Sequence, residues 1–503
     1  MPTVSPARSR SVGALPFILL LAATVRLAGM TTRPLWYDEA FAILFAEKGP
    51  GAMLYGTLAP SAAGAADIHP LGYYTLLWLW MRAFGSSLVS VRLLSILAGI
   101  ATVALAYLVA HNLYDKRGAI IASIFVALAP FQVHYSQEIR MYPFLALWLL
   151  LTTYAYLRGT KGDGTKWWIL FSVAAALAQY THNLAAFYLI PLAVTPLLGR
   201  DGKTLRAVIF AGLGAIILYL PWLLQLPGQF TKISTAYWVE QPGLEKIFTL
   251  LLVFVTNLPL PGPLLFVGLF IALAAFAIAA LQTFRRANRE PGALWLFHLS
   301  FSPAILLFIF SQWTPVYIER ALLPSGIIFC IWLAWAFFES SLPIPLRNGL
   351  IILLAVGAGL GLYQHVTYAG FPYAPYRELD AFLRAESMPG DTIVHSSKLT
   401  MLPAVYYDRN LAQTYLADPP GSRVDTLAPS TQQVLGWQAQ ADIASATEGA
   451  NRVWFIIFEQ SILEYKNSGE AAHPHLAWLS ERYALIEILN FGDLRLHLFS
   501  KHP

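Results

Sequence analysis

Charged residues are scarce in this chain. Asp, Glu, Lys and Arg make up 12% of its 503 residues, against about 25% in soluble globular domains. Hydrophobic residues make up 57% of the chain, and the mean hydropathy is +0.56. A charge deficit this deep over several hundred residues excludes an ordinary soluble enzyme. It predicts a polytopic protein whose first partner is the lipid bilayer.

Cysteine and dense basic clusters are also lacking. The single Cys330 lies inside an apolar segment, which excludes a disulfide framework and a cysteine-based metal site. The net charge is only +5 and no basic run is interleaved with aromatic residues. Nucleic acid is therefore not a predicted partner.

Long apolar runs and aromatic residues, in contrast, are abundant. The 15 Trp, 24 Tyr and 30 Phe are expected if aromatic belts mark two membrane interfaces. The apolar runs predict about 11 spans, several of them shorter than the roughly 20 residues of a straight crossing. They are 12–29, 88–110, 118–136, 143–158, 167–181, 184–199, 207–224, 262–283, 294–311, 321–338 and 347–364. No small-residue cleavage site follows the first run, which predicts an uncleaved membrane helix and not a signal peptide.

The polar connectors predict the topology. Basic residues concentrate in "HNLYDKRG", "RGTKGDGTK", "GRDGKTLR" and "RRANRE", which share one side if there are 11 spans, and the positive-inside rule makes that side the cytoplasm. The opposite side receives the first external loop, 30–87, and a loop predicted to be mobile, 225–261. Within the loop 225–261, residues 244–258 are apolar. A membrane span there would place the basic stretch 285–289 on the external side. We therefore predict a re-entrant or interfacial helix at 244–258.

The tail differs in composition, with more charge and shorter apolar runs. The segment "YRELDAFLRAESMPGDTIVHSS" predicts a helix followed by a strand. "NRVWFIIFE" and "YALIEILNFGDLRLHLF" predict further strands, the last two joined by a turn at Gly492-Asp493. The predicted fold is a polytopic α-helical membrane domain, 1–368, with interfacial helices in its first external loop. A small extracytoplasmic α/β domain, 369–503, follows it.

Two adjacent carboxylates in "LWYDEAFAILFA" are the first candidates for chemistry. Asp38 and Glu39 stand where a helix begins, so one interpretation is an N-terminal cap. A single carboxylate is enough for that role. The second interpretation is a catalytic carboxylate at the membrane surface, where partial desolvation increases its basicity.

A second cluster stands where the third span emerges, in "HYSQEIRMY". Glu138, Arg140 and Tyr142 lie there, and ionisable residues at such a depth are functional candidates. The alternative is an interfacial Glu138–Arg140 ion pair flanked by anchoring aromatic residues.

Histidines on the same side form a third set of candidates. His69 precedes Pro70 in "DIHPLGYYTLLWLWMRAFG", which predicts an interfacial helix, and His182 is followed by Asn183. These residues are candidates for contact with substrate or acceptor. Together with a carboxylate, His69 or His182 would suit a divalent metal, but no ligand spacing demands one, so no cofactor is firmly predicted. The alternative for His69 is a helix cap.

Basic residues at the external ends of spans are the fourth set. Arg320, in "PVYIERALLPSG", stands at the mouth of the tenth span, and the guanidinium group suits phosphate because it donates two charge-assisted bonds at once. The alternative is an interfacial anchor. Lys232 and Lys246 are weaker candidates on the external loop 225–261.

Four motifs in order then resemble a known family. "LWYDEAFAILFA", "HPLGYYTLLWLWMRAFGSS...VRLLSILAG", "PFQVHYSQEIRMYPFLAL" and "ERALLP" are similar to motifs of the GT-C glycosyltransferase superfamily. The likeness is to the bacterial family-39-like branch, related to protein O-mannosyltransferases and lipid A aminoarabinose transferases. It covers about residues 10–340, and the tail carries no motif of the family.

The resemblance implies an inverting transferase that uses a polyprenyl-phosphate sugar and a hydroxyl acceptor on the outer face of the cytoplasmic membrane. It implies Asp38 as general base with Glu39 beside it. It further implies that Glu138 assists acceptor or metal binding, and that Arg320 holds the donor phosphate with help from Arg140 and Tyr142. The acceptor class, protein, lipid or glycan, stays open, as do the sugar and the metal dependence.

Two other classes of function are weighed against the transferase. A lipid transporter or flippase would have inverted repeats and helices broken at matching positions of two halves, and no such symmetry is visible in the sequence. A non-catalytic scaffold with the same membrane domain would bind lipid without transferring sugar.

Overall fold

The computed structural model describes residues 13–59, 67–235, 239–340, 342–418 and 426–502, with the backbone alone for 231–235. Helices dominate up to residue 367. They are α1 (Ala14–Leu27), α2 (Tyr37–Ala46), α3 (Pro50–Leu58), α4 (Gly72–Phe84), α5 (Leu88–Leu113), α6 (Lys116–Leu128), α7 (Pro130–Ser136), α8 (Tyr142–Thr160), α9 (Thr165–Thr181), α10 (Ala186–Leu198), α11 (Gly202–Leu223), α12 (Leu226–Thr235), α13 (Glu245–Val255), α14 (Gly262–Arg286), α15 (Pro291–Phe310), α16 (Leu323–Phe338) and α17 (Ile344–Thr367). Short 3-10 turns, Asn183–Ala185 and Glu319–Leu322, precede α10 and α16.

Each of the predicted apolar segments contains a helix. In the described part of the chain, 6 helices are long and apolar enough to cross a membrane, and 7 if the bent pair α6–α7 is one span. The count of 11 spans stays a prediction. Helix α13 has 11 residues and is about 16 Å long, too short to cross a bilayer alone. It packs on α7, α14 and α17.

The third predicted segment is broken. Helices α6 and α7 meet at an angle of 57°, and Pro130, at the first position of α7, has no backbone N–H to continue the ladder. The fully buried guanidinium of Arg26 donates to the carbonyl of Ala127 at 2.9 Å and to Ser136 Oγ at 3.2 Å. Arg26 therefore replaces part of the hydrogen bonding that the end of α6 loses.

Close backbone contact holds α17 against this break. A Cβ atom at Gly361 would lie 1.9 Å from the carbonyl oxygen of Thr256 and 2.7 Å from Pro130 Cγ. Only glycine lets α17 approach the end of α13 and the start of α7 this closely. The approach matters for function because α17 leads directly into the C-terminal domain.

The helix predicted in the first external loop is present as α4, and its interfacial position stays a prediction. Its side chains Tyr73, Tyr74, Leu77 and Met81 are buried. In sequence α4 follows α2 and α3. Helix α2 packs on both α3 and α4. These helices lie where the first loop meets the membrane domain.

The strands predicted in the tail are also confirmed. The domain contains α18 (Tyr376–Glu386), β1 (Asp391–His395), α19 (Lys398–Tyr407), β2 (Gln413–Tyr415), α20 (Pro429–Leu435), α21 (Ile443–Ala446), β3 (Arg452–Phe458), α22 (Glu459–Asn467), α23 (Pro474–Arg482), β4 (Tyr483–Phe491) and β5 (Leu494–Lys501). The sheet order is β2-β1-β3-β5-β4. Strands β2, β1 and β3 are parallel, and β5 and β4 are antiparallel to their neighbours.

Both faces of this sheet are covered. In β3, Trp454 and Ile456 belong to a hydrophobic cluster on one face, while Phe455 and Ile457 belong to a separate cluster on the other. Alternation of this kind follows from the two-residue period of a strand. A central strand that is apolar on both faces is typical of an α/β sheet with helices on both sides.

The C-terminal domain packs on the first external loop. Helix α19 contacts α2, and α20 contacts α3. The hydroxyl of Thr431 donates to the carbonyl of Gly56 at 3.0 Å, and Arg409 pairs with Glu47 at 2.9 Å. The sheet domain is therefore joined to the loop that carries the Asp38-Glu39 pair.

Replacing Gly361 by alanine tests the close approach of α17. We expect Gly361→Ala to lower the melting temperature in detergent markedly, because the added Cβ overlaps backbone and overpacking costs about 1–3 kcal/mol or more. Gly359→Ala, on an exposed position of the same helix with nothing within 4 Å of the new Cβ, should leave the melting temperature unchanged or slightly higher. Equal melting temperatures for the two variants would contradict this account.

Candidate active site

Asp38 lies in the first turn of α2, at the centre of a cluster that three distant chain segments build. Its Oδ2 atom accepts a hydrogen bond from Arg320 Nη1 at 2.8 Å and lies 3.6 Å from Arg140 Nη2. Both guanidinium groups also stand near the ring of Tyr142, Arg320 at 5.2 Å and Arg140 at 5.9 Å. The structure thus brings together the four predicted residues Asp38, Arg140, Tyr142 and Arg320.

The two arginines control the charge of Asp38. Burial by itself raises the pKa of the Asp38 carboxyl, but the positive charges of Arg140 and Arg320 outweigh burial and hold this pKa below its ordinary value. Asp38 is therefore ionised at neutral pH. Its side chain keeps 15% exposure, so the carboxylate remains accessible.

Glu39 points away from this cluster. It is fully buried and forms a two-point ion pair with Arg92 of α5, with distances of 3.1 Å and 2.7 Å. The backbone N–H of Ile139 also donates to Glu39 at 3.0 Å. Both carboxylate oxygens of Glu39 are therefore bonded inside the protein, and these bonds hold α2 in place. The catalytic role of Glu39 stays a prediction that its contacts do not support.

Glu138 lines a separate cavity of about 180 Å³. Its Oε1 atom accepts a hydrogen bond from Tyr373 at 3.1 Å, and it lies 3.1 Å from His134 Nε2 and 3.6 Å from Arg33 Nη2. Burial raises the pKa of Glu138 above its ordinary value, because desolvation outweighs the attraction of Arg33 and Arg320. Further lining residues are Trp36, Tyr135, Asn257, Gln364, His365 and Tyr368.

The predicted histidines line a different cavity from Glu138. The ring of His182 stands 5.7 Å from Tyr142 and 5.1 Å from His69. His69, His182 and Asn183 line a second cavity of about 250 Å³. The rest of its wall is largely apolar, with Leu184, Phe187, Leu226, Phe230, Phe310 and Val316.

These histidines do not form a clear metal site. His69 Nδ1 lies 2.5 Å from Asp67 Oδ1, and His182 Nδ1 accepts from the N–H of Leu184, so the Nδ1 atom of each ring has another partner. His182 Nε2 is buried and has no partner among the described residues. Among the described residues no group of three or more His, Cys, Asp or Glu side chains is arranged to hold a metal. The dependence on a divalent metal therefore stays open.

The two candidate lysines of the loop 225–261 differ in what the structure shows of them. Lys232 lies in the part of α12 whose side chains fall outside the described residues. Lys246 pairs with Glu319 at 2.7 Å, directly beside Arg320. Lys246 therefore joins α13 to the turn that carries Arg320.

Sequence reasoning missed five residues of this region, Arg33, Arg92, His134, His365 and Tyr373. Arg92, His134 and His365 lie inside apolar helices, and ionisable residues at such positions are a signal that the sequence offers. Arg33 and Tyr373 lie in polar connectors and carry no local signal. Only the fold brings them to Glu138.

Comparison with known proteins supports the same family. A family model described as dolichyl-phosphate-mannose-protein mannosyltransferase matches residues 68–224. An undecaprenyl phosphate-alpha-4-amino-4-deoxy-L-arabinose arabinosyl transferase of Pseudomonas fluorescens is 27% identical over 226 residues, 42% of this chain and 38% of that protein. The Pseudomonas aeruginosa relative of that name is 28% identical over 163 residues, 31% of this chain and 30% of its own length. The chain therefore aligns with well under half the length of these relatives.

Solved structures extend the likeness to nearly the whole chain. ArnT from Cupriavidus metallidurans in the apo state has a TM-score of 0.64 and 13% identity, and the match covers 97% of this chain and 98% of that one. The Archaeoglobus fulgidus oligosaccharyltransferase in complex with Zn and sulfate has a TM-score of 0.54 and 13% identity, covering 97% and 73%. Such identities carry the fold alone. In its motifs, in the family model that matches residues 68–224 and in its fold, this chain is similar to the GT-C glycosyltransferases.

Proposed function

We propose that this protein transfers a sugar from a polyprenyl-phosphate donor to a hydroxyl acceptor, with inversion at the anomeric carbon and Asp38 as the general base. The observation that carries the proposal is an accessible carboxylate that contacts two guanidinium groups, one of them buried, with Arg320 also lining the cavity of Glu138. The relatives named as undecaprenyl-phosphate aminoarabinose transferases and the ArnT structure bound to undecaprenyl phosphate support the donor class. The basic connectors favour a site on the outer face of the cytoplasmic membrane.

The two guanidinium groups suit the donor phosphate. Arg140 Nε is buried and has no hydrogen-bond partner among the described residues, so this donor is available to an anion. Arg320 stands at the mouth of α16 and contacts the same oxygen of Asp38 that Arg140 approaches. Paired arginines stabilise a leaving phosphate electrostatically and need not protonate it.

The transfer step then needs one base. The acceptor oxygen attacks the anomeric carbon, a new carbon–oxygen bond forms, and the bond to the phosphate oxygen breaks with its electron pair remaining on the phosphate. Asp38 takes the proton of the acceptor hydroxyl. This is half of the two-carboxylate scheme of inverting glycosidases, because the phosphate leaves without an acid.

Donor binding itself would activate the base. In the structure, Arg140 and Arg320 stabilise the charged form of Asp38, which lowers its pKa and its basicity. A phosphate that accepts bonds from the same guanidinium groups neutralises their charge, so the pKa of Asp38 rises when the donor is present. The base then gains proton affinity only once the sugar is in position.

Glu39 and Glu138 have supporting roles in this proposal. Glu39 fixes α2 against α5 through Arg92. Glu138, whose cavity adjoins Arg320, receives a hydroxyl-bearing part of a substrate. The acceptor class and the sugar remain to be identified by assay, starting with 4-amino-4-deoxy-L-arabinose because of the relatives.

The first test is transfer from radiolabelled undecaprenyl-phosphate sugars in membranes that contain this protein. We expect Asp38→Asn to lower the transfer rate by about 10²- to 10⁴-fold, the usual contribution of a general base, while donor binding survives. Glu47→Gln, which changes an acidic residue just beyond the end of α2 without touching the cluster, should transfer at the wild-type rate. Equal rates for Asp38→Asn and wild type would move the base elsewhere. Absence of donor binding by the wild type would overturn the proposed function.

A second test uses pH. The pKa of Glu138 is raised and that of Asp38 is lowered. Glu138 is therefore the first of the two carboxylates to be protonated as the pH falls. We expect the acidic limb of kcat/KM to lie above the ordinary Glu pKa of 4.5. In Glu138→Gln the acidic limb of the residual kcat/KM should lie at lower pH, where the Asp38 carboxylate becomes protonated. Unchanged limbs in this variant would assign the titration to another group.

The third test concerns Arg92. Its removal leaves the Glu39 carboxylate buried without its ion partner, and we expect Arg92→Ala to reduce the free energy of unfolding by about 3–5 kcal/mol. Arg409→Ala breaks a half-exposed pair with Glu47 and should cost about 0–1 kcal/mol. Thermal unfolding in detergent measures both, and a stable Arg92→Ala variant would remove Glu39 from its structural role.

A further inference from the structure

A short connector between α17 and α18, residues 368–375, passes over the cavity that Glu138 lines. We call it the strap. Three of its aromatic residues, Tyr368, Phe371 and Tyr373, form part of the cavity wall. Tyr373 is buried, with 6% exposure, and its ring stacks under the guanidinium of Arg33 at 4.2 Å.

The hydroxyl of Tyr373 connects two charged groups. It accepts a hydrogen bond from Arg33 Nη2 and donates one to Glu138 Oε1. Neighbouring bonds of this kind polarise one another in a poorly solvated site. The ring of Trp36, two residues before Asp38, also meets Tyr373 edge-on at 6.2 Å.

The sheet domain determines where the strap lies. The ring of Phe371 packs against Phe458 at the end of β3, with 5.0 Å between centroids. Within the strap, Tyr373 N–H donates to the carbonyl of Gly370 at 3.1 Å. The hydroxyl of Tyr368 donates to the carbonyl of Phe371 at 2.8 Å. Tyr373 is thus held from the C-terminal side, although Glu138 belongs to the membrane domain.

The two oxygens of Glu138 differ sharply. Oε1 has Tyr373, His134 and Arg33 around it. Oε2 is buried and has no hydrogen-bond partner among the described residues. A buried carboxylate oxygen without a partner is costly, and here it belongs to a residue that lines a cavity. A bound hydroxyl group would satisfy it.

We propose that Tyr373 is a positioning residue of the active site. It holds Glu138 by one oxygen so that the other receives a substrate hydroxyl, and the C-terminal domain thereby completes the site. This inference rests on the proposed function. It assigns the tail a direct part in sugar transfer, beyond bracing the first external loop.

The charges around Glu138 make the contribution of Tyr373 measurable. Arg33 and Arg320 favour the ionised carboxylate, Asp38 opposes it, and His134 and Tyr373 touch it directly. The Tyr373 hydroxyl donates to the ionised form and so stabilises it. Its loss leaves the carboxylate less well held and more easily protonated, without changing the guanidinium groups that bind phosphate.

The test compares Tyr373→Phe with Tyr376→Phe. Tyr373→Phe keeps the ring and removes only the hydroxyl, and we expect kcat to fall about 10- to 100-fold, as for a hydrogen bond to a charged group. KM for the donor should stay unchanged, and the acidic limb of kcat/KM should move to higher pH. Tyr376→Phe, three residues along, removes a buried hydroxyl that donates to the carbonyl of Leu399 inside the C-terminal domain. It should transfer at the wild-type rate with an unchanged limb.

A double variant connects the effect to Glu138. In a Glu138→Gln background, Tyr373→Phe should lower kcat much less than in wild type, and the two changes should also be non-additive in thermal unfolding. A limb that does not move, additive effects in both measurements, or an equal loss in Tyr376→Phe overturns the inference. If the wild type transfers no sugar but the effects of the two changes on thermal unfolding are non-additive, the proposed function is overturned instead. The contact between Tyr373 and Glu138 would then still stand.

Discussion

The buried ion pair between Glu39 and Arg92 is the contact on which the site depends. It joins α2 to α5, and through the N–H of Ile139 it also joins the connector between α7 and α8. Three segments, separated by 53 and 100 residues along the chain, are thereby held at one point. Asp38 precedes Glu39 by one residue, and neighbours on a helix point in directions about 100° apart. With Glu39 turned into the bundle, Asp38 is turned toward Arg140 and Arg320. The two acidic residues have different partners because of this rotation.

A second constraint is the broken helix α6–α7. The bend at Pro130, supported by the buried Arg26, ends the ladder early and leaves α7 and its connector at the depth of the site. His134 and Glu138 follow within nine residues of the break. Non-helical backbone at membrane depth is tolerated where other protein groups satisfy its hydrogen bonds. Arg26 does so here, because its guanidinium donates to carbonyls at the end of α6.

The C-terminal domain contributes in two places. Helices α19 and α20 pack on the first external loop, which stabilises the position of α2. The strap brings Tyr373 to Glu138 from the opposite side. The carboxylates of Asp38 and Glu138 therefore each depend on contacts with a domain that carries no motif of the family.

The sequence by itself determined the apolar segments, the helix at α4, the strands of the tail and the candidates Asp38, Arg140, Tyr142 and Arg320. The elements follow from periodicity and charge scarcity and the candidates from the cost of ionisable groups near lipid, whereas the common role of the four candidates was implied by the family resemblance. Tertiary structure alone decided that Glu39 faces Arg92, and that Arg33 and Tyr373 meet Glu138. It also separated the His69 cavity from the Glu138 cavity. The reason is physical: the direction of a side chain depends on helix rotation and on which segments pack together. Residues 33, 138 and 373 become neighbours only after the membrane helices and the sheet domain have assembled.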